Sequence, residues 1–204
     1  MAECKAVKTP ISTSVKLSKE MCPKDDVERE EMSKIPYRSL IGSLMYLAIS
    51  TRPDIAHAVM ALGQYNSNYG LEHWRAAKRV LRYLQGTKHV KLVFKKTNKL
   101  LVGFADADWG ADVDHRRSYT GYVFQMANTA ISWMSRKQKS VVTSSTEAEY
   151  VALSEAAKEA VHLRAFLSEI IGKQPATIIY NDNQGADNMA QNPVLHGRAK
   201  YIDL

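Results

Sequence analysis

The period of the apolar residues changes once along this chain, and that change limits the folds open to it. From Tyr37 to about Gln85 they recur at helical spacing, and after Lys99 they run together or alternate as strands do. YRSLIGSLMYLAIS and IAHAVMALGQYN read as a helical hairpin broken at Thr51, Arg52, Pro53 and Asp54. A third helix, from about Glu72 to Gln85, sets Trp74, Ala77, Val80, Leu81 and Leu84 on one face and Arg75, Lys78, Arg79 and Arg82 on another. Further on, LLVGFADA, YTGYVFQM and AISWMSRKQ read as an antiparallel meander. Residues 147–171 follow as a long helix with an apolar stripe of Tyr150, Leu153, Ala157, Ala160, Phe166 or Leu167, and Ile170. ATIIYND reads as a buried strand and NQGADNMAQ as a brief helix. The order βββαβα predicts an α+β or mixed α/β layer fold.

Upstream, residues 1–35 are polar, and KDDVEREEMSK reads as a solvated linker or frayed helix. Cys4 and Cys22 both lie there without metal-ligand spacing, which predicts reduced bystanders. The N-terminus lacks the apolar core of a secretory signal, so secretion is not expected. The uncharged apolar stretch Ser39 to Thr51 falls short of the roughly 20 residues a bilayer span needs, so no membrane partner is expected.

Charge is unevenly placed. The chain carries a net +7, and the window from Glu72 to Lys99 holds nine Lys or Arg against one Glu. All of the basic excess therefore sits in one window. It reads either as a solvated helix face followed by a Lys-rich edge strand, or as a surface that tracks phosphates. His115, Arg116 and Arg117, and Arg136, Lys137 and Lys139, fall near hairpin ends, where they either touch a substrate backbone or face solvent. Trp109 and Trp133 are expected in the core.

Three acids stand out. Asp106 ends an apolar strand on the face of Val102 and Phe104, and Asp182 follows Ile178, Ile179 and Tyr180. Carboxylates that continue a buried face are costly unless paired with a cation, although such acids also serve as caps and turn formers. SSTEAEY holds two overlapping capping boxes, Ser144 with Glu147 and Thr146 with Glu149. If Ser144 is the N-cap, Glu147 is explained and Glu149 turns toward the sheet. Were Asp106, Glu149 and Asp182 to converge, the cluster would repel itself unless divalent cations sat within it. Hard oxygen donors favour Mg²⁺ or Mn²⁺, and two such ions can serve phosphodiester hydrolysis.

The blocks ADADWGAD, RRSYTGYVF, AISWMSRKQ, SSTEAEYVALSEAAKEA, YNDNQGA and NPVLHGRAKYIDL resemble, in this order, the ribonuclease H region of Ty1/copia LTR retrotransposon Pol polyproteins. YRSLIGSLMYLAISTRPDIAHAV and HWRAAKRVLRYLQGT resemble the segment joining that family's reverse transcriptase to its ribonuclease H. The resemblance implies three regions: a polar segment at 1–35, a helical connection or thumb-like region at 36–97, and an RNase H-like domain at 98–204, C-terminally truncated. It also implies a five-stranded mixed sheet with flanking helices. The implied activity is cleavage of the RNA strand of an RNA:DNA hybrid with two Mg²⁺ ions, with Asp106, Glu149, Asp182 and Asp203 as catalytic metal ligands. Arg75, Lys78, Arg79, Arg82, Arg116, Arg117, Arg136 and Lys137 are the expected nucleic-acid contacts. The implied partners are the hybrid and the upstream polymerase region of the same polyprotein, in an intracellular retrotransposon particle in the cytoplasm or in the nucleus. His196, in the loop before the last acid, is a candidate for assisting product release. The alternative is a nucleic-acid-binding fragment that has lost turnover.

Overall fold

The computed structural model describes residues 4–192. They divide between Leu92 and Val93 into two compact units, each with its own core. Among the described residues are six helices longer than a turn and four strands. No described helix is long and apolar enough to cross a membrane.

In the first unit, α1 (Asp26–Ser33) forms within the charge run because the Asp25 carboxylate caps Glu28 N–H at 2.8 Å and Glu28 reaches back to Lys24 N–H at 2.9 Å. It is a defined helix, with Met32 as its buried residue. The core lies between α2 (Tyr37–Ser50), α3 (Ala56–Gly63) and α4 (Leu71–Gly86). Tyr37, Ile41, Leu44 and Ala48 supply the α2 stripe, and Ala58, Val59, Leu62, Ala77 and Val80 close on it. At the break between α2 and α3, Arg52 grips Asp54 with bonds of 2.8 and 2.6 Å and reaches the Thr87 hydroxyl at 2.6 Å, while the Tyr83 hydroxyl donates to Asp54 at 2.8 Å. Burial pushes the Asp54 carboxyl up, but the bonds from Arg52 and Tyr83 outweigh it and hold it below the ordinary carboxylate range.

Residues 90–101 are neither helix nor strand, so the Lys-rich edge strand is not formed. Val93 and Phe94 are adjacent and both exposed, which gives this stretch no single apolar face to bury.

The second unit is a sheet in the order β3-β2-β1-β4. β1 (Val102–Asp108), β2 (Tyr119–Met126) and β3 (Thr129–Lys137) form the antiparallel meander, and β4 (Ile178–Tyr180) joins β1 in parallel. This is a four-stranded mixed sheet among the described residues, against the five strands the resemblance implies. The β2–β3 turn places Ala127 and Asn128 at positive φ, the backbone a tight hairpin demands. The long helix α5 (Ser145–Ile171) lies on one face and seats Ala156 and Ala160 over Leu101, Ala105 and Phe124. A Cβ at Gly103 would stand 2.5 Å from the Phe124 ring, so glycine there lets that ring lie flat in the core. The short α6 (Gln184–Gln191) packs Ala186 and Met189 with Tyr150 of α5.

Several expectations change here. The buried face of β1 is Gly103 and Ala105, continued by Leu101 just before the strand, whereas Phe104 is 42% exposed and shares its face with Asp106. Among the described residues β4 is an edge strand, with Ile178 and Tyr180 exposed, not a buried one. On α5, Ala157, Phe166 and Ile170 face outward. Trp109 is exposed in the β1–β2 connection rather than in the core.

Candidate functional site

Strand register creates the site. In the parallel pairing of β1 with β4, Phe104 stands opposite Tyr180 and their rings stack at 5.3 Å. Asp106 and Asp182 each lie two residues further on, so both emerge at the same end of the sheet.

α5 delivers the third acid. Ser144 caps it by accepting Glu147 N–H at 3.2 Å, and the Glu147 carboxylate turns back to the Thr143 amide and hydroxyl at 2.7 and 2.9 Å. Glu147 is thereby committed to the helix start. Two residues on, about 200° around the helix, Glu149 faces inward and is 7% exposed. Gln138, at the end of β3, ties this turn to the sheet by donating to Ala148 O and the Thr120 hydroxyl, both at 3.0 Å.

Asp106, Glu149 and Asp182 meet. Each offers a carboxylate oxygen, and those oxygens lie within 4.8 Å of one another. Asp106 and Asp182 are exposed, so the cost of burying a carboxylate falls on Glu149 and not on the two aspartates. Burial raises the affinity of Glu149 for its proton. Asn181 and the Ala107 backbone oppose the shift with hydrogen bonds, the charges of Asp106 and Asp182 add to it, and the net result is a pKa above the ordinary glutamate value. Three hard oxygen donors that repel one another at this range suit a divalent cation of the Mg²⁺ or Mn²⁺ class. Asp203 and His196 lie outside the described residues.

The expected nucleic-acid contacts are placed as follows. On α4, Arg75 pairs with Glu72, and Lys78 lies over the Trp74 ring at 5.6 Å. Arg79 donates to Thr9 O at 3.2 Å and to the Thr9 hydroxyl at 2.9 Å, and Arg82 donates to Lys5 O at 2.7 Å. In the second unit, Arg116 is exposed at positive φ, Arg117 is half-buried, and Arg136 pairs with Glu155 at 2.7 Å. Lys137 pairs at 3.0 Å with Asp112, an acid that sequence reasoning did not single out. Asn181 was also missed, although its Nδ2 lies 3.1 Å from Glu149 Oε2. Neither belongs to a periodic pattern or a recognisable spacing; adjacency to Asp182 was the available signal for Asn181.

The chain is 46% identical over 204 residues to the retrovirus-related Pol polyprotein from transposon TNT 1-94 of Nicotiana tabacum, and 43% identical over 210 residues to that from transposon RE2 of Arabidopsis thaliana. Both alignments take in all of this chain. It is homologous along its full length to Ty1/copia Pol polyproteins. The chain spans 15% and 14% of the lengths of these two relatives. It is also 51% identical over 133 residues to the secreted RxLR effector protein 161 of Plasmopara viticola, covering 94% of that protein and 65% of itself. No protein-family model matches the chain, and no solved structure matches it.

Proposed function

We propose that the second unit is an RNase H-like domain of a copia-type Pol polyprotein, and that it cleaves the RNA strand of RNA:DNA hybrids. The convergence of Asp106, Glu149 and Asp182 at one end of the sheet carries this reading. The order of motifs shared with the ribonuclease H region of the family supports it. Asp106, Glu149 and Asp182 would hold two Mg²⁺ ions, with Asp203 as the fourth ligand. Bound there, the ions would supply activation of the attacking water and neutralisation of charge on the leaving oxygen. The chain's own part is to keep its carboxylates converged and to hold Glu149 against its own burial cost.

Hybrid duplex would be recognised by groove shape and 2′-hydroxyl contacts, with Arg75, Lys78, Arg79 and Arg82 of the first unit and Arg116, Arg117, Arg136 and Lys137 of the second as phosphate partners. The setting proposed is reverse transcription inside a cytoplasmic or nuclear retrotransposon intermediate, beside the polymerase region of the same polyprotein.

The test is cleavage of an end-labelled hybrid with Mg²⁺. Asp106→Asn, Glu149→Gln and Asp182→Asn are each expected to slow cleavage at least a hundredfold, roughly 2.7 kcal/mol of transition-state stabilisation. Glu147→Gln keeps most of the rate. Loss of activity in Glu147→Gln with retention in Glu149→Gln refutes the assignment, and hybrid binding without any Mg²⁺-dependent cleavage selects the binding-fragment alternative.

A further inference from the structure

Asn181 stands immediately before Asp182, half-buried between the end of β4 and the second turn of α5. Every polar atom of its side chain is engaged. Nδ2 donates to Glu149 Oε2 at 3.1 Å and, over a longer 3.4 Å, to Ala105 O of β1. Oδ1 accepts the Asn183 amide at 2.8 Å, closing a turn around Asp182.

These partners fix which way the amide points. Rotating it by half a turn would set Oδ1 against a carboxylate and a carbonyl, both acceptors, and Nδ2 against an N–H donor. The side chain is thus a one-way donor toward Glu149. Its three partners also adjoin the three acids: Ala105 precedes Asp106, Glu149 is held directly, and the turn to Asn183 encloses Asp182. Asn181 offers no carboxylate of its own. A glutamate has three side-chain torsions, and pinning one oxygen leaves the other oriented.

We infer that Asn181 is a positioning residue that sets the Glu149 carboxylate, and with it the spacing of Asp106 and Asp182, for divalent cation binding. This rests on the reading of the three acids as a cation site. Partners of this kind around a metal's carboxylates are worth about 10–100-fold in affinity.

The experiment uses the 204-residue chain and Mn²⁺ alone, with free Mn²⁺ counted by its paramagnetic resonance signal and metal-free melting followed in parallel. Wild type is expected to bind, and Asp106→Asn to lose that binding. Asn181→Ala is expected to weaken it about tenfold. The control is Asn183→Ala, which removes the cap that Asn183 Oδ1 gives Ala186 N–H at 3.0 Å and so loosens α6 without touching Glu149. It is expected to lower the melting temperature while keeping wild-type affinity. Wild-type affinity in Asn181→Ala, or an equal loss in Asn183→Ala, overturns the positioning role and leaves the cation site standing. Absence of any Asp106-dependent Mn²⁺ binding in wild type refutes the cation site itself, and the role of Asn181 with it.

Discussion

The Asp112 side chain is 1% exposed, and its Oδ2 lies 3.0 Å from Lys137 Nζ and 2.9 Å from His115 Nδ1. Its backbone holds the same connection together, since Asp112 N–H donates to Arg117 O at 3.0 Å and Arg116 N–H to Asp112 O at 2.8 Å. Burial alone would push this carboxyl up, but the hydrogen bonds from Lys137 and His115 win and hold it below the ordinary range. A depressed carboxyl adds stability that is present above the unfolded pKa of about 3.9 and is lost as pH falls through the lower folded value. Lys137→Met is therefore expected to cost about 2 kcal/mol at pH 7, measured by urea unfolding. That deficit should shrink below about pH 4, where wild type loses the same interaction. A deficit that stays constant into acid would show that Lys137 acts through the packing of its stem. Glu147 and Glu149, at the start of α5, are separable from sequence, because a serine three residues before Glu147 accounts for it and helical geometry sends Glu149 inward. Asp112 and Asn181 are not, because their importance comes from partners 25 and 32 residues away, which no local spacing announces.

At the scale of elements, the strands of the meander and the ends of α4, α5 and α6 are legible because turn residues and caps mark them locally. Which row of α5 faces the sheet is not. Two rows fit a 3.6-residue period, one rich in large apolar side chains and one running through Ala152, Ala156 and Ala160. The alanine row wins because small side chains let the helix axis come close to β1 and β2, where Phe124 already fills the volume. Replacing Ala156 by Leu is thus expected to cost roughly 1–3 kcal/mol by overpacking. Phe166→Ser, on the exposed row, should stay within about 0.5 kcal/mol of wild type. Thermal melts of the two variants decide the matter, and the reverse order of effects would place the seam on the other row. β4 differs from its expectation for a related reason: three successive apolar residues do not distinguish a central strand from an edge strand with one covered face. The same edge position matters to the site, since a strand beside β1 at the sheet border leaves Asp182 open to solvent next to Asp106.

For the whole molecule, the open question is how much of its net charge of +7 is available to a polyanion. The α4 face that composition offers either as a solvated face or as a phosphate surface is differentiated by its partners. Arg79 and Arg82 donate to backbone carbonyls of the chain's own N-terminal segment, whereas Arg75 and Lys78 engage only neighbours on α4 in the bonds and ring interactions described above. Each cation withdrawn from a phosphate should flatten the dependence of log affinity on log salt by about 0.9 on duplex nucleic acid. Replacing Arg75 and Lys78 together by Gln is therefore expected to lower the magnitude of that slope by roughly 2 for hybrid binding, with the melting temperature nearly unchanged. Arg79→Gln and Arg82→Gln each remove solvent-exposed hydrogen bonding to the N-terminal segment, worth about 0.5–1.5 kcal/mol, so a modest loss of stability of the first unit should accompany any loss of binding. Titrations of a hybrid from low to moderate salt, paired with melts of the same variants, separate the two effects. An unchanged slope in the Arg75 and Lys78 double variant would remove these two cations from the binding surface and leave Arg79 and Arg82 of α4 and Arg116, Arg117, Arg136 and Lys137 of the second unit as the cations to test next.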